Sequence, residues 1–504
     1  MKIHFARAIL TACLALGFAS PSADAATVRI GLSSLPPQNG NPFASPARTT
    51  WYTGRAYMDM LTQLGEGTKP EPALALSWTS TDPTTWIVKL RPKVTFSNGE
   101  PFDAAAVVFT YEYLKTPEAQ VDAIAREADG IFSVRAIDPL TVEFKTKLPD
   151  PGFARQLSVT PIIPPGYWKK VGKDGFLLAP VGTGSFKVEK WEKNRVVFTA
   201  FKGSWRAPKV DGLEIIALPE TATRIQALLS GRIDIALEIG AEDVDAVTAA
   251  GFKTYQRPGT SVHVIAFNQL LDGSPFKDVR VRQALNYGVN KQAIVDAFAH
   301  GLVPPATQTA ARGNAEFDPT LKGYPYDPAK AKALLAEAGY GKGKDLTFEM
   351  AFAAGTSGKD WEAALQQTAA DLEKIGVHVV LRSLPWSQWV RGVQQGEWTG
   401  QAFGFEYETL PTGDLLRPYR LYTCTWAHPW YCDKEIVPLV DEAKSTFSAE
   451  RRKQLIKQIL ARTNEQAPTL LMYEPLGLDA ISPKVEGYDQ LNAIIPFARI
   501  NVKN

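Results

Sequence analysis

Trp86, Val88 and Leu90 alternate with Ile87, Lys89 and Arg91, the period of two expected of a half-buried strand. Val94-Thr95-Phe96 reads as the start of a partner strand ahead of an Asn98-Gly99 turn. At Asp103 the period lengthens. Val107, Val108, Tyr111 and Leu114 recur at helical spacing behind an aspartate suited to cap the first turn. Farther on, Thr221 opens a helix that ends at Gly231 and feeds a strand, Ile233-Asp234-Ile235-Ala236-Leu237. The order repeats where a helix from Trp361 to Lys374 is stopped by Gly376 and followed by a strand, Val377-His378-Val379-Val380-Leu381. Helix, glycine, strand is α/β construction. Gly182-Thr183-Gly184 is predicted to be a turn needing positive φ before the strand Phe186-Lys187-Val188, and Gly339 to cap a helix from Ala329 to Ala338. Neither glycine cluster has the spacing of a dinucleotide loop.

A chain of 504 residues is too long for one core, since single cores stop growing at roughly 250 to 300 residues. The first 25 residues have another character. Lys2 and Arg7 precede an apolar run from Ala8 to Ala19, which ends in Ala23-Asp24-Ala25. That is the form of a cleaved export signal, and the run falls short of the about 20 residues that a membrane span needs. Leu10-Thr11-Ala12-Cys13 matches a lipoprotein box, but cleavage there would strand the apolar run Leu14 to Ala19 on the product. A soluble, exported mature chain beginning near Ala26 is therefore expected, in the periplasm. Removing Lys2, Arg7 and Asp24 from the 55 basic and 53 acidic residues leaves the charge nearly balanced. Such a surface offers no footprint for nucleic acid or for an anionic membrane.

Cys424 and Cys432 are the only cysteines beyond that signal. In an exported protein two close cysteines are expected to form a disulfide. A metal site is the poorer reading, because two thiols and His428 lack a fourth ligand and the usual spacing. The five histidines are scattered, and no zinc-protease, serine-elbow or phosphate-loop motif occurs. Glu406 and Glu408 form a carboxylate pair without a nucleophile or metal motif beside it. Neither catalysis nor a cofactor is expected. A binding site needs aromatic walls instead, and Trp386 and Trp389, three apart, would share one face of a helical turn.

Four blocks carry a resemblance: Trp86 through Phe102, Gly182-Thr183-Gly184-Ser185-Phe186-Lys187, Pro219 through Ala236, and Phe276-Lys277-Asp278-Val279-Arg280-Val281-Arg282-Gln283-Ala284-Leu285-Asn286. Their composition and order resemble the peptide/opine/nickel class, family 5, of ABC-transporter solute-binding proteins. The resemblance implies a periplasmic-binding-protein type II-like α/β fold, with two large lobes joined by hinge strands and an additional inserted domain. It places a first lobe in residues 26–68, 180–262 and 475–504, the inserted domain in 69–179 and the other lobe in 263–474. The hinge strands would be Val262-His263-Val264-Ile265-Ala266-Phe267 and Leu470-Leu471-Met472-Tyr473.

The stretch from Phe403 to Asp414 looks like the family's Gly-Trp-x-x-Asp-x-x-Asp-Pro segment, in which an Asp pairs with the ammonium of a peptide. The matching position is Glu408, with Asp414 as the alternative. The implied ligand-binding set is Trp386, Trp389, Phe405, Glu406, Tyr407, Glu408 and Asp414. The arginine that dipeptide binders carry after Leu346-Thr347-Phe348-Glu349-Met350-Ala351-Phe352 is absent, since Ala353-Ala354-Gly355-Thr356-Ser357-Gly358 stands there. The implied partners are a peptide or small-molecule ligand and a membrane-embedded ABC permease, with the binder a monomer. An oligosaccharide or opine ligand, and outside the family a secreted hydrolase, stay open as alternatives.

Overall fold

The computed structural model describes residues 26–503 apart from 46, 342, 354–358, 399, 476 and 493. The export-signal run and the Ala354–Gly358 segment, where the family's arginine would fall, thus lie outside the described residues.

The alternation at Trp86 becomes the strand Thr85–Leu90, inside a four-stranded sheet ordered Ala75–Asp82, Thr85–Leu90, Thr141–Thr146, Ile131–Asp138. Val94-Thr95-Phe96 is not its partner. Thr95 makes one isolated bridge to Pro101, and a proline without an N–H cannot carry a ladder onward. The Asp103 carboxylate caps the helix Ala104–Leu114 by accepting hydrogen bonds from the Ala105 and Ala106 amides. Tyr111 of that helix meets Phe144 of the sheet edge to face, 5.1 Å between ring centres.

A seven-stranded sheet has Thr27–Leu32 at its middle, parallel to Gly212–Ala217 on one side and Ile235–Ala236 on the other. The helix Thr221–Leu229 ends where expected, at Gly231 with φ +72°. Only two residues of the predicted Ile233–Leu237 strand keep ladder geometry. The reason is Arg224: its buried guanidinium takes the carbonyls of Leu218, Pro219, Leu237 and Glu238 and pulls the strand end toward the helix. Gly182 and Gly184 correct the sequence reading in another way. Neither has positive φ. A Cβ at Gly182 would stand 2.0 Å from the Tyr57 carbonyl oxygen, and one at Gly184 2.6 Å from the Tyr57 carbonyl carbon. Close approach of two backbones, not a left-handed turn, requires glycine here.

The third sheet is ordered Val377–Leu384, Leu346–Ala353, Ala402–Glu408, Ser261–Phe267, Thr469–Leu471. Its first three strands are parallel, so their carboxyl ends share one edge. The two apolar runs expected to be hinges are core strands of this sheet. Every residue of Ser261–Phe267 is buried, and Val264, Ile265 and Ala266 pair with Leu471, Leu470 and Thr469. Apolar on both faces is the mark of a central strand. The chain passes between the seven- and five-stranded sheets just outside them, through Pro258-Gly259-Thr260 after the strand Lys253–Arg257, and between Leu471 and Gly477. Among the described residues no helix is long and apolar enough to cross a membrane.

Candidate functional site

Ligands of open α/β sheets gather beyond the carboxyl ends of the strands. At that edge of the five-stranded sheet stand the end of Ala402–Glu408 and Trp386, which begins the helix Trp386–Gln395 directly after Val377–Leu384. Facing this edge is the helix Arg48–Gly54, and between them lies a cavity of about 290 Å³. Ser45, Ala47, Arg48, Trp51, Glu408, Leu410 and Arg417 line it. The volume is at the lower limit of small-molecule pockets, roughly 300 to 1,000 Å³.

The period of two divides the predicted residues between the faces of their strand. Gly404, Glu406 and Glu408 share one face with Ile265, His263 and Ser261, their partners across the ladder. Phe403, Phe405 and Tyr407 occupy the other. There Trp386, Trp389 and Phe405 form a continuous stack, with ring centres 5.2 and 5.3 Å apart. Trp386 ends that stack in solvent at 54% exposure. Tyr407 is wholly buried, stacked 4.2 Å from Tyr422, so its ring offers no surface to a ligand in this conformation. The rings and the acids thus meet the edge on opposite sides of one strand.

Glu408 is the acid in the cavity. Its side chain is 28% exposed, stands 3.4 Å from the Arg48 guanidinium and accepts the Leu410 amide. Burial and the neighbouring Glu406 push its carboxyl up to about 7, with Arg48 pulling the other way. Burial also works against the charge of Arg48, but Glu408, Tyr52 and Glu406 outweigh it and hold the guanidinium above its ordinary value. Glu406 accepts a hydrogen bond from the Ser261 hydroxyl and lies 3.9 Å from His263 Nε2. Burial lowers the His263 pKa, with Arg48 adding to the effect and Glu406 opposing it, so the imidazole is neutral at pH 7. Its ring stacks on Tyr473.

Asp414 stands elsewhere. It accepts from Arg452 at 2.7 Å and from the Leu416 amide. Burial opposes its charge, but Arg452 and Arg155 prevail and hold its carboxyl below the ordinary value. That carboxylate is already matched inside the protein. Cys424 and Cys432 are bridged, closing the segment that carries Trp426 and Trp430, and Trp430 packs edge to face on Phe405 and Tyr422.

Sequence reasoning missed Arg48, Trp51 and Arg417. Arg417 reaches Glu127 at 2.9 Å, in the segment that carries the four-stranded sheet. Nearby, Arg155 donates to the Gly413 and Thr68 carbonyls and pairs with Glu316 at 3.2 Å. No motif marks these positions. Arg48 lies 360 residues from Glu408, and only the fold brings them together.

Two α/β lobes with an aromatic and charged seam between them, and an inserted sheet bracing the seam, define the class of bilobed solute binders. Residues 69–423 match the family described as bacterial extracellular solute-binding proteins, family 5. The chain belongs to that family. It is 28% identical to a dipeptide-binding protein of Pseudomonas aeruginosa, covering 99% of this chain and 98% of the relative. It is 31% identical to a glutathione-binding protein of Salmonella typhimurium over 72% of this chain and 71% of the relative. Among solved structures, HbpA2 from Haemophilus parasuis superposes with a TM-score of 0.82 at 22% identity, covering 95% of this chain and 100% of that one.

Proposed function

We propose that this chain is exported to the periplasm, its signal cleaved near Ala25, and that it captures a peptide or related amino-bearing solute and hands it to an ABC permease without chemical change. The carrying observation is Glu408. It is the acid lining the cavity, at the strand end that matches the family's amine-binding segment, and its partner Arg48 is 3.4 Å away, longer than a strong charge-assisted bond. A ligand ammonium pairing with the carboxylate offsets the penalty that burial and Glu406 impose on it. The names of the dipeptide- and glutathione-binding relatives support the same ligand class. The division into residues 26–68, 180–262 and 475–504, an insertion of 69–179 and a lobe of 263–474 is kept as part of this reading, because the three large sheets fall within those ranges to within two residues.

Native mass spectrometry of protein purified without denaturation identifies the solute. Calorimetry with that solute then tests the anchor: Glu408→Gln should weaken binding about 30-fold or more, as removal of a desolvated partner does, while Asp414→Asn should leave it unchanged. A second reading rests on the stacked, half-exposed Trp386, which suits the face of a sugar ring. If Trp386→Ala abolishes binding and Glu408→Gln does not, the solute is a neutral saccharide.

A further inference from the structure

The cavity presents cations as well as its acid. Arg48 and Arg417 both line it, and each is incompletely used. Arg48 has Glu408 at 3.4 Å. Arg417 spends Nη2 on Glu127 and Nη1 on the Glu408 carbonyl at 3.3 Å, while its buried Nε has no hydrogen-bond partner among the described residues. An ammonium taken by Glu408 removes the nearest counter-charge from Arg48 and would leave that guanidinium facing the ligand unmatched. Planar guanidinium forks match a carboxylate with two parallel hydrogen bonds.

We infer that the solute is a zwitterion of roughly di- to tripeptide size, whose carboxylate is received by Arg48 and Arg417 while its ammonium goes to Glu408. The inference rests on the amine anchor proposed above and adds the opposite end of the ligand. Binding is then an exchange of ion pairs. The resting Arg48–Glu408 contact opens, and each partner takes one end of the solute, so no charge is stranded in the closed seam. It also accounts for a short binder that lacks the arginine expected after Leu346–Ala353: the carboxylate is held from the helix Arg48–Gly54 across the seam. The small volume of the cavity keeps both ends within reach of this one cluster.

A pool of random tripeptides in three forms, with free ends, with an acetylated amine and with an amidated carboxylate, tests both ends at once by pull-down and mass spectrometry. Free-ended peptides should be retained at least about tenfold over either capped form, the low end of the cost of stranding a buried charge. If amidated peptides are retained as well as free ones and acetylated peptides are lost, the carboxylate inference falls and the amine anchor stands. If acetylated peptides are retained as well as free ones, the amine anchor falls and takes the exchange with it. Retention of no form overturns both. In Arg48→Gln and Arg417→Gln the preference for free over amidated ends should collapse toward one, with the preference for free over acetylated ends kept. A variant that merely loosened the fold would lower all three forms together.

Discussion

At the scale of single residues the acids of the seam have opposite characters. Glu408 titrates high because burial and Glu406 disfavour its charge. A carboxyl raised in the folded state gives stability that is present below its unfolded value, near 4.5, and is lost as pH rises through about 7. Glu408→Gln should therefore remove part of the fall in unfolding free energy between pH 5 and 8, at most about 3 kcal/mol, as denaturant titrations at the two pH values will read. The same shift makes solute capture pH-dependent. An ammonium needs the ionised acid, so below pH 7 affinity should drop about tenfold per unit and binding should release a proton. Calorimetry in buffers of different ionisation enthalpy measures that proton. Asp414 behaves otherwise: Asp414→Asn should cost about 2 kcal/mol of stability through the lost Arg452 pair and leave affinity alone.

At the scale of elements much was legible in the sequence, and the failures have physical causes. Period two at Trp86, the Asp103 cap and the helix-glycine-strand order at Gly231 and Gly376 are local patterns, and local hydrogen bonds and sterics decide them. What a buried run neighbours is not local. Val262–Phe267 and Leu470–Tyr473 look alike whether they bend between lobes or lie inside a sheet, and strand pairing settled the matter. Gly184 was legible as an obligatory glycine but not in its cause, since Tyr57 is far away in sequence. The two glycines now separate in a test. Gly231→Ala, with open space around the new Cβ, should cost only the left-handed penalty, roughly 1 kcal/mol. Gly184→Ala must push the Tyr57 backbone aside and should lower the melting temperature distinctly more. Of the candidate site, the acids and rings could be read because they are neighbours in one strand. Arg48 and Arg417 could not, because long-range folding alone puts them there.

At the scale of the whole molecule the inserted sheet and the five-stranded lobe are tied by Arg417–Glu127 and Arg155–Glu316, with Trp86 stacked on Phe447 at 6.0 Å. Because Arg417 also lines the cavity, this clasp and the ligand share a residue. A ligand shifts closure only by what it gains in the closed state. Glu127→Gln and Glu316→Gln together should favour an opened molecule, seen as a larger radius of gyration by small-angle scattering without solute. Saturating solute should restore the compact form, at an affinity several-fold weaker, which corresponds to a coupling of about 1 kcal/mol. An unchanged radius in the double variant would show that apolar packing alone keeps the lobes together.

The strand Ala402–Glu408 keeps its acids and its rings on opposite faces. Substitutions that do not touch one another tend to add in their effects, so this arrangement bears on descent as well as on binding. Replacing Glu406 or Glu408 alters what the seam accepts while Phe403, Phe405 and Tyr407 go on holding the lobe together behind it. A lineage can thus exchange one nutrient for another through a few changes on a single surface, with the architecture inherited intact.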